Sequence, residues 1–414
     1  MKFRKLSQLV LVSVLGLAVA MLLAACQLVS IDYIYLTTSS SNSSAGSEGQ
    51  IQIFAADGAS GALRTGMPSV SSGGQNPVAL ALTSSYTSLY VANQGTSNKI
   101  VHFVIDTSGN LTQKDTVTGY GKPVSIAVNQ AGTYLYGLFI QGSGAGSAML
   151  VAFPLASDGT INAAAALPPT VLLVPGHTGD TLIPTQVTVL PTNAAVYVTA
   201  YDQSVYNPTG STIPGDTANP GWIFGYSVDS NGVLTQVGGG PLEAGVEPMA
   251  LSADPTGRFV YVADFASSQL IGYTVQSGSV LNFLLSPPTA TGKEPDAITI
   301  DPRGLFVYVA NELDSTVSAF SIDLSTGVLT ATVNVANGFT NPTDTSPVAI
   351  MVDPSLGRFV YTANYSGNSV SGFILDPIAG SLTPTQSTPY PSGPQPTGIT
   401  GIPNGNHNVQ SVTP

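Results

Sequence analysis

Residues 294–311 read E-P-D-A-I-T-I-D-P-R-G-L-F-V-Y-V-A-N. A proline opens a short apolar-alternating run, and a proline inside a sheet belongs at a strand's first residue. D-P-R-G then sets a turn, with Pro fixing φ and Gly supplying the positive φ that follows. F-V-Y-V-A is rich in the β-branched and aromatic residues that suit a pleated surface. The phrase is therefore strand, turn, strand. It recurs at 247–264 (E-P-M-A-L-S-A-D-P-T-G-R-F-V-Y-V-A-D) and at 346–364 (S-P-V-A-I-M-V-D-P-S-L-G-R-F-V-Y-T-A-N). Weaker copies surround Tyr90, Tyr136 and Tyr197, and a half-copy, Y-I-Y-L-T, surrounds Tyr35. Each copy is followed by a second phrase such as T-V-S-A-F-S-I-D-L-S-T-G-V-L-T at 316–330, which adds a third strand, a T-G turn and a short fourth.

The seven tyrosines are spaced by 55, 46, 61, 64, 47 and 53 residues. A four-stranded unit repeating on that scale is a propeller blade. The expected fold is all-β: seven four-stranded antiparallel blades over residues 31–401. The first copy lacks its P-x-x-I strand, and Pro396–Gly401 is a spare copy of that strand at the far end. Pairing of Ile399 beside Tyr33–Thr37 is expected to close the ring and remove an exposed edge.

Composition agrees and excludes other classes. Charged residues make up only 8% of the 414-residue chain, while hydrophobic residues reach 43%. Stacked blades cover most strands on both faces, and that demands near-continuous apolar runs. The net charge of −12 argues against a nucleic-acid partner. One cysteine cannot form an internal disulfide. A monomer is expected.

Residues 1–25 have the form of an export signal: Lys2, Arg4 and Lys5, then an apolar run from Leu9 to Ala25. The run ends in Leu23-Ala24-Ala25-Cys26, which resembles the lipobox of bacterial lipoproteins. That resemblance implies cleavage before Cys26, acylation of its thiol and new amino group, and a cell-envelope location. Residues 26–30 would be a short tether and 402–414 a polar tail. Gln27 after the cysteine implies the outer membrane in a Gram-negative host.

The V-Y-V-A-N and D-P-x-G-R-F-V-Y-V phrases resemble the seven-bladed lactonase family, whose named type is 6-phosphogluconolactonase, and the related Y-V-T-N surface propellers. The resemblance implies a site at the channel mouth, with His, Arg and Glu around it in the family's enzymes, and lactone hydrolysis as an activity. In this chain Arg258, Arg303 and Arg358 fall in the turn phrases, on the opposite face. The mouth is instead acidic, with Lys99, Lys122 and Lys293 outnumbered by carboxylates. His177, with Asp180 nearby, is the histidine placed to act as a base. Glu247, Asp264, Glu294, Asp296 and Asn311 occupy equivalent positions of adjacent blades and are expected to converge. They form a candidate site for a glycan, lactone or protein partner, or for Ca²⁺ through hard oxygen ligands. The long Tyr201–Gly221 insertion is a candidate lid. The expected function is therefore a lipid-anchored propeller that binds a ligand at its acidic mouth, with hydrolysis of a neutral or sugar lactone as the alternative.

Overall fold

A computed structural model describes residues 29–39, 47–144, 146–176, 179–203, 221–333 and 340–405. They form seven antiparallel sheets arranged as the blades of a propeller. Blade six shows the plan. Its inner strand is Pro295–Ile300, followed outward by Phe306–Asn311, Thr316–Ile322 and Leu329–Ala331. In five blades a further two-residue segment pairs with the third strand beyond the short fourth, so two pieces share the outermost position. Helical structure among the described residues is confined to two three-residue 3-10 turns, Ala163–Ala165 and Ser277–Ser279.

Ring closure follows the expected pairing. Pro396–Pro403 is the inner strand of blade one and runs antiparallel to Ser30–Thr38, with Leu36 opposite Ile399 and Tyr33 opposite Ile402. The sheet extends slightly past the bounds read from sequence. Ser30 pairs with Asp57, and Pro403 pairs with Asp32.

The core is not one body but seven seams. Each of seven buried apolar clusters joins two neighbouring blades. In the seam between blades seven and one, Ile34, Leu36 and Phe54 meet Phe359, Tyr361 and Val370. This is why the second strands carry unbroken apolar runs: Phe306–Asn311 is buried at every residue.

The repeat tyrosines sit in these seams, all nearly or fully buried. The hydroxyls of Tyr35, Tyr90, Tyr261, Tyr308 and Tyr361 reach a glycine turn of the next blade. Tyr35 donates to the Gly109 carbonyl at 2.9 Å, Tyr261 to Gly327 at 2.7 Å and Tyr308 to Gly380 at 3.0 Å. Tyr361 donates to the Gly61 carbonyl at 2.8 Å, which carries the same staple across the closure.

The D-P-x-G-R turns are closed by their aspartates. Asp301 Oδ1 accepts the backbone N–H groups of Leu305 and Phe306, and Asp254 and Asp353 do the same in their blades. The turn arginines lie over the next aromatic ring, with Arg258 5.1 Å from the Phe259 centroid and Arg303 5.7 Å from Phe306. His102 is fully buried in a seam, held by Asp115 at 2.7 Å and Ser88 at 3.0 Å, and stacked on Tyr90.

Candidate functional site: the mouth of the central channel

Every inner strand carries a register shift at its opening proline. In blade six Pro295 pairs with Asn311 and Ala297 with Ala310, so Asp296 has no partner in the ladder. The same shift leaves out Val78, Val124, Thr185, Met249, Val348 and Thr397. A bulge re-aims the extra side chain, and here all seven extra side chains line one cavity of about 510 Å³ on the propeller axis. That volume lies within the range of small-molecule sites. The ring is thus Val, Val, Thr, Met, Asp, Val and Thr, one residue from each blade. Gln94, Ser125, Gln186 and Tyr365 add polar atoms to the wall, and among the described residues no arginine or lysine lines it.

Hydrogen bonds hold the inner strands beside one another. Thr397 Oγ1 donates to the Pro77 carbonyl, Gln94 Nε2 to Pro123, and Thr185 Oγ1 to Pro248. The backbone just outside the ring is strained. Asn76, Glu294, Ser346 and Gln395, each preceding an inner-strand proline, have φ of 42°, 55°, 57° and 48°. Non-glycine residues in that region are uncommon and cluster where structure is over-determined for function.

Asp296 is the one carboxylate of the wall. Burial pushes its pKa up to about 8, and the nearby Glu312 and Glu247 carboxylates push the same way. Glu312 is itself raised, first by burial and then by Glu294. Asp296 thus holds its proton to higher pH than an ordinary carboxyl, and in that form it offers a donor as well as an acceptor.

The five residues grouped from sequence separate here. Asp296 faces the channel, and Glu247 and Glu294 belong to its electrostatic surroundings. Asp264 does not face the channel. It is fully buried, its Oδ1 accepting the N–H groups of Val246 and Glu247 and its Oδ2 that of Gln269 Nε2. Asn311 is also fully buried and donates to Thr316 and Ser318. Both sit at the end of a second strand, where neighbouring blades cover both faces, so Asp264 ties down the segment before the inner strand and Asn311 ties to the third strand, and neither lines the mouth. Among the described residues no group of three or more His, Cys, Asp or Glu comes together to hold a metal ion.

Cys26, His177 and residues 204–220 of the insertion lie outside the described residues. The insertion's flanks, Tyr201 and Gly221, pair across blade four. Asp180 is half-buried in a loop of that blade and is not part of the cavity wall. Sequence reasoning missed the bulge ring, and it counted Glu312 among the carboxylates of the mouth without grouping it with Asp296. The signal for the ring was the first residue after each inner-strand proline, which the P-x-x-I phrase had treated as filler.

The model of the family described as lactonase, 7-bladed beta-propeller, matches residues 24–167 and 237–343. No curated protein sequence matches. Among solved structures, the periplasmic gluconolactonase of Pseudomonas aeruginosa superposes with a TM-score of 0.68 at 21% identity, over 90% of this chain and 99% of that one. A candidate 6-phosphogluconolactonase from Bacteroides uniformis gives 0.69 at 17% identity, over 90% and 100%. A hypothetical selenium-binding protein from Sulfolobus tokodaii gives 0.62 at 12% identity, over 92% and 95%. Similarity at that level of identity speaks for the fold, and the family model, matched over more than half of the sequence, speaks for descent: the chain belongs to the lactonase family of seven-bladed β-propellers.

Proposed function

We propose that this chain is an envelope propeller, acylated at Cys26, that takes a neutral, hydroxyl-rich ligand of the sugar-lactone class into the mouth of its channel. The observation that carries the reading is the wall itself: seven bulge side chains, of which Asp296 is the single carboxyl, with no cation among the described lining residues. A phosphorylated sugar calls for arginine or lysine at its phosphate. A neutral ring calls for apolar surface and a few polar groups that fix orientation, and this wall offers that mixture.

Hydrolysis of the bound lactone is a second reading. It is favoured by the raised pKa of Asp296, which leaves a proton for the ring oxygen as water adds to the carbonyl carbon and the bond from that carbon to the ring oxygen breaks, the water's own proton returning to the Asp296 carboxylate. The gluconolactonase from Pseudomonas aeruginosa shares the fold and lends this reading analogy, not a site.

Calorimetry with a neutral aldonolactone and its 6-phospho counterpart tests the proposal. The neutral ligand is expected to bind more tightly. Asp296→Val, which copies the ring residue of three other blades, is expected to weaken it roughly tenfold, the equivalent of about 1.4 kcal/mol. Asp296→Asn is expected to retain binding and lose its dependence on pH near 8. Tighter binding of the phosphorylated ligand, or no effect of either substitution, would overturn the assignment. Turnover that disappears in both variants would favour the hydrolase reading.

A further inference from the structure

The acylation reading fixes one end of the chain to a lipid surface, and the fold then decides which face of the propeller meets it. Ser30–Thr38 holds the second-strand position of blade one, so it runs from the turn face to the mouth face. Val29 accordingly lies on the turn face, where its carbonyl accepts the N–H of Gly58 in the turn after Gln50–Asp57. Cys26 is three residues upstream of Val29. Three residues fully extended span no more than about 11 Å. An acyl group on Cys26 thus begins close to the turn face, and that tether cannot reach round to the mouth.

The turn face also carries the side chains for such a contact. Ile378 is 91% exposed at the tip of a turn in blade seven, Leu324 is 47% exposed at the same place in blade six, and Val29 is 58% exposed in blade one. Blades six, seven and one are consecutive around the ring, so these tips share one sector with the point where the chain emerges. The tips are held rigidly. Arg258 Nη1 donates to the Leu324 carbonyl at 2.6 Å, and Arg303 Nη1 donates to the Pro377 carbonyl at 2.9 Å, one residue before Ile378. The acids of the sector are tied into their own turns. Asp323 accepts the N–H groups of Ser325 and Thr326, and Asp376 those of Ile378 and Ala379. The opposite face holds the acidic mouth.

We infer that the turn face of blades six, seven and one rests on the lipid bilayer, with Ile378, Leu324 and Val29 dipping into the headgroup boundary and the channel mouth turned away from the membrane. This inference rests on the acylation of Cys26. Aspartates outnumber arginines at the turn ends of these blades, with Asp32, Asp57, Asp301, Asp323, Asp353 and Asp376 against Arg64, Arg303 and Arg358, so contact depends on apolar burial and the anchor and gains nothing from anionic lipid. The arrangement leaves the mouth open to ligands arriving from the aqueous side.

The test uses the full chain, matured in a bacterial host, purified with its lipid and reconstituted in phosphatidylcholine vesicles containing brominated lipid. Ile378→Trp and Leu324→Trp report on the turn face and Leu313→Trp on the mouth face, where Leu313 is 59% exposed. The parent chain, with Trp222 alone, gives the baseline. Quenching of the added fluorescence is expected to be roughly twofold or more at 378 and 324, because surface-seated apolar groups enter the boundary by about 5–10 Å. None is expected at 313. Quenching at 313, or none at 378 and 324 in protein that carries the acyl mass and floats with the vesicles, would overturn the orientation while leaving the anchor intact. An unmodified Cys26 by mass spectrometry would remove anchor and orientation together. In Cys26→Ser protein without vesicles, a concentration-dependent blue shift at 378 would assign the sector to a second copy of the chain and also overturn the inference.

Discussion

The tyrosine that marks each repeat has two jobs, and only one of them is visible from its neighbours in sequence. Its ring fills a seam, as an aromatic in F-V-Y-V-A would be expected to do. In Tyr35, Tyr261 and Tyr308 the hydroxyl crosses to the next blade and satisfies a turn carbonyl some 60 to 80 residues away, and in Tyr361 it does so 300 residues away at Gly61. Removing one hydroxyl forfeits a bond and leaves a buried carbonyl without its donor, a cost of about 1–3 kcal/mol. Tyr361→Phe is therefore expected to lower the melting temperature by several degrees, since the lost bond spans the closure. Equal stability of the wild type and Tyr361→Phe in thermal melts would show that water replaces the donor. A neighbouring residue shows the opposite economy. Asp32 is fully buried beside Asp353, which accepts four backbone N–H groups, while Asp32 Oδ2 has no partner. The proton of this pair belongs on Asp32, whose pKa burial and the Asp353 charge both raise.

At the scale of the element, the closing strand and the inner-strand bulge decide stability and site respectively. Pro396–Pro403 pairs with Ser30–Thr38 along almost its whole length, and it places Ile399 and Ile402 in the seams on either side of blade one. Deleting residues 394–414 would expose those seams and an unpaired strand edge. Each isoleucine alone contributes about 1.5–3 kcal/mol by burial, so the truncated chain is expected to lose several kcal/mol. Thermal unfolding by circular dichroism checks this; an unchanged midpoint would mean that Ser30–Thr38 closes its blade by itself. The closing strand was legible because the missing first P-x-x-I and the extra last one are complementary absences. The bulge was not. A period-two reading assigns every residue of Pro295–Ile300 a rung, and nothing in the letters says that the rung after proline is skipped. The same limit explains Asp264 and Asn311. Their ring position placed them at the mouth end, but the end of a second strand is covered by both neighbouring blades, and burial turned each side chain toward the segment it secures. Asp296 differs from them by standing on the bulge.

For the whole molecule, sparse charge and double-sided burial are one fact: seven seams need apolar residues on both faces of most strands, and this left the fold and family readable from a repeated phrase. The site was read more coarsely, because the face can be assigned from turn chemistry while the aim of each side chain depends on packing. Two carboxyls with raised pKa values, Asp32 buried in the fold and Asp296 on the channel wall, give the molecule a characteristic response to pH. Asp296 has a folded-state pKa near 8, and that of Asp32 is raised as well. Unfolded, both return to about 3.9. Below that value both states are protonated and the stabilisation is fully present. As pH rises, the unfolded chain releases these protons first, so it binds fewer than the native state and stability falls until the folded groups titrate. The aspartates in exposed turns act at the acid end. Asp106, Asp323 and Asp376 have lowered pKa values through hydrogen bonds, and their contribution is lost as pH drops below the usual carboxylate range. Stability is thus expected to peak on the mildly acidic side and to decline toward pH 8. Self-repulsion from a net charge of −12 pushes in the same direction, but the two causes separate in salt. Added salt screens surface charges over a Debye length and reaches the buried Asp32 far less. Melting temperatures at pH 5.5 and 8.5, each at low and high salt, are therefore expected to differ in both conditions for the wild type. In Asp32→Asn with Asp296→Asn the decline is expected to shrink sharply at high salt, where repulsion no longer contributes. A decline that is the same in the double variant would assign it to surface charge and leave both carboxyls ionised in the native state.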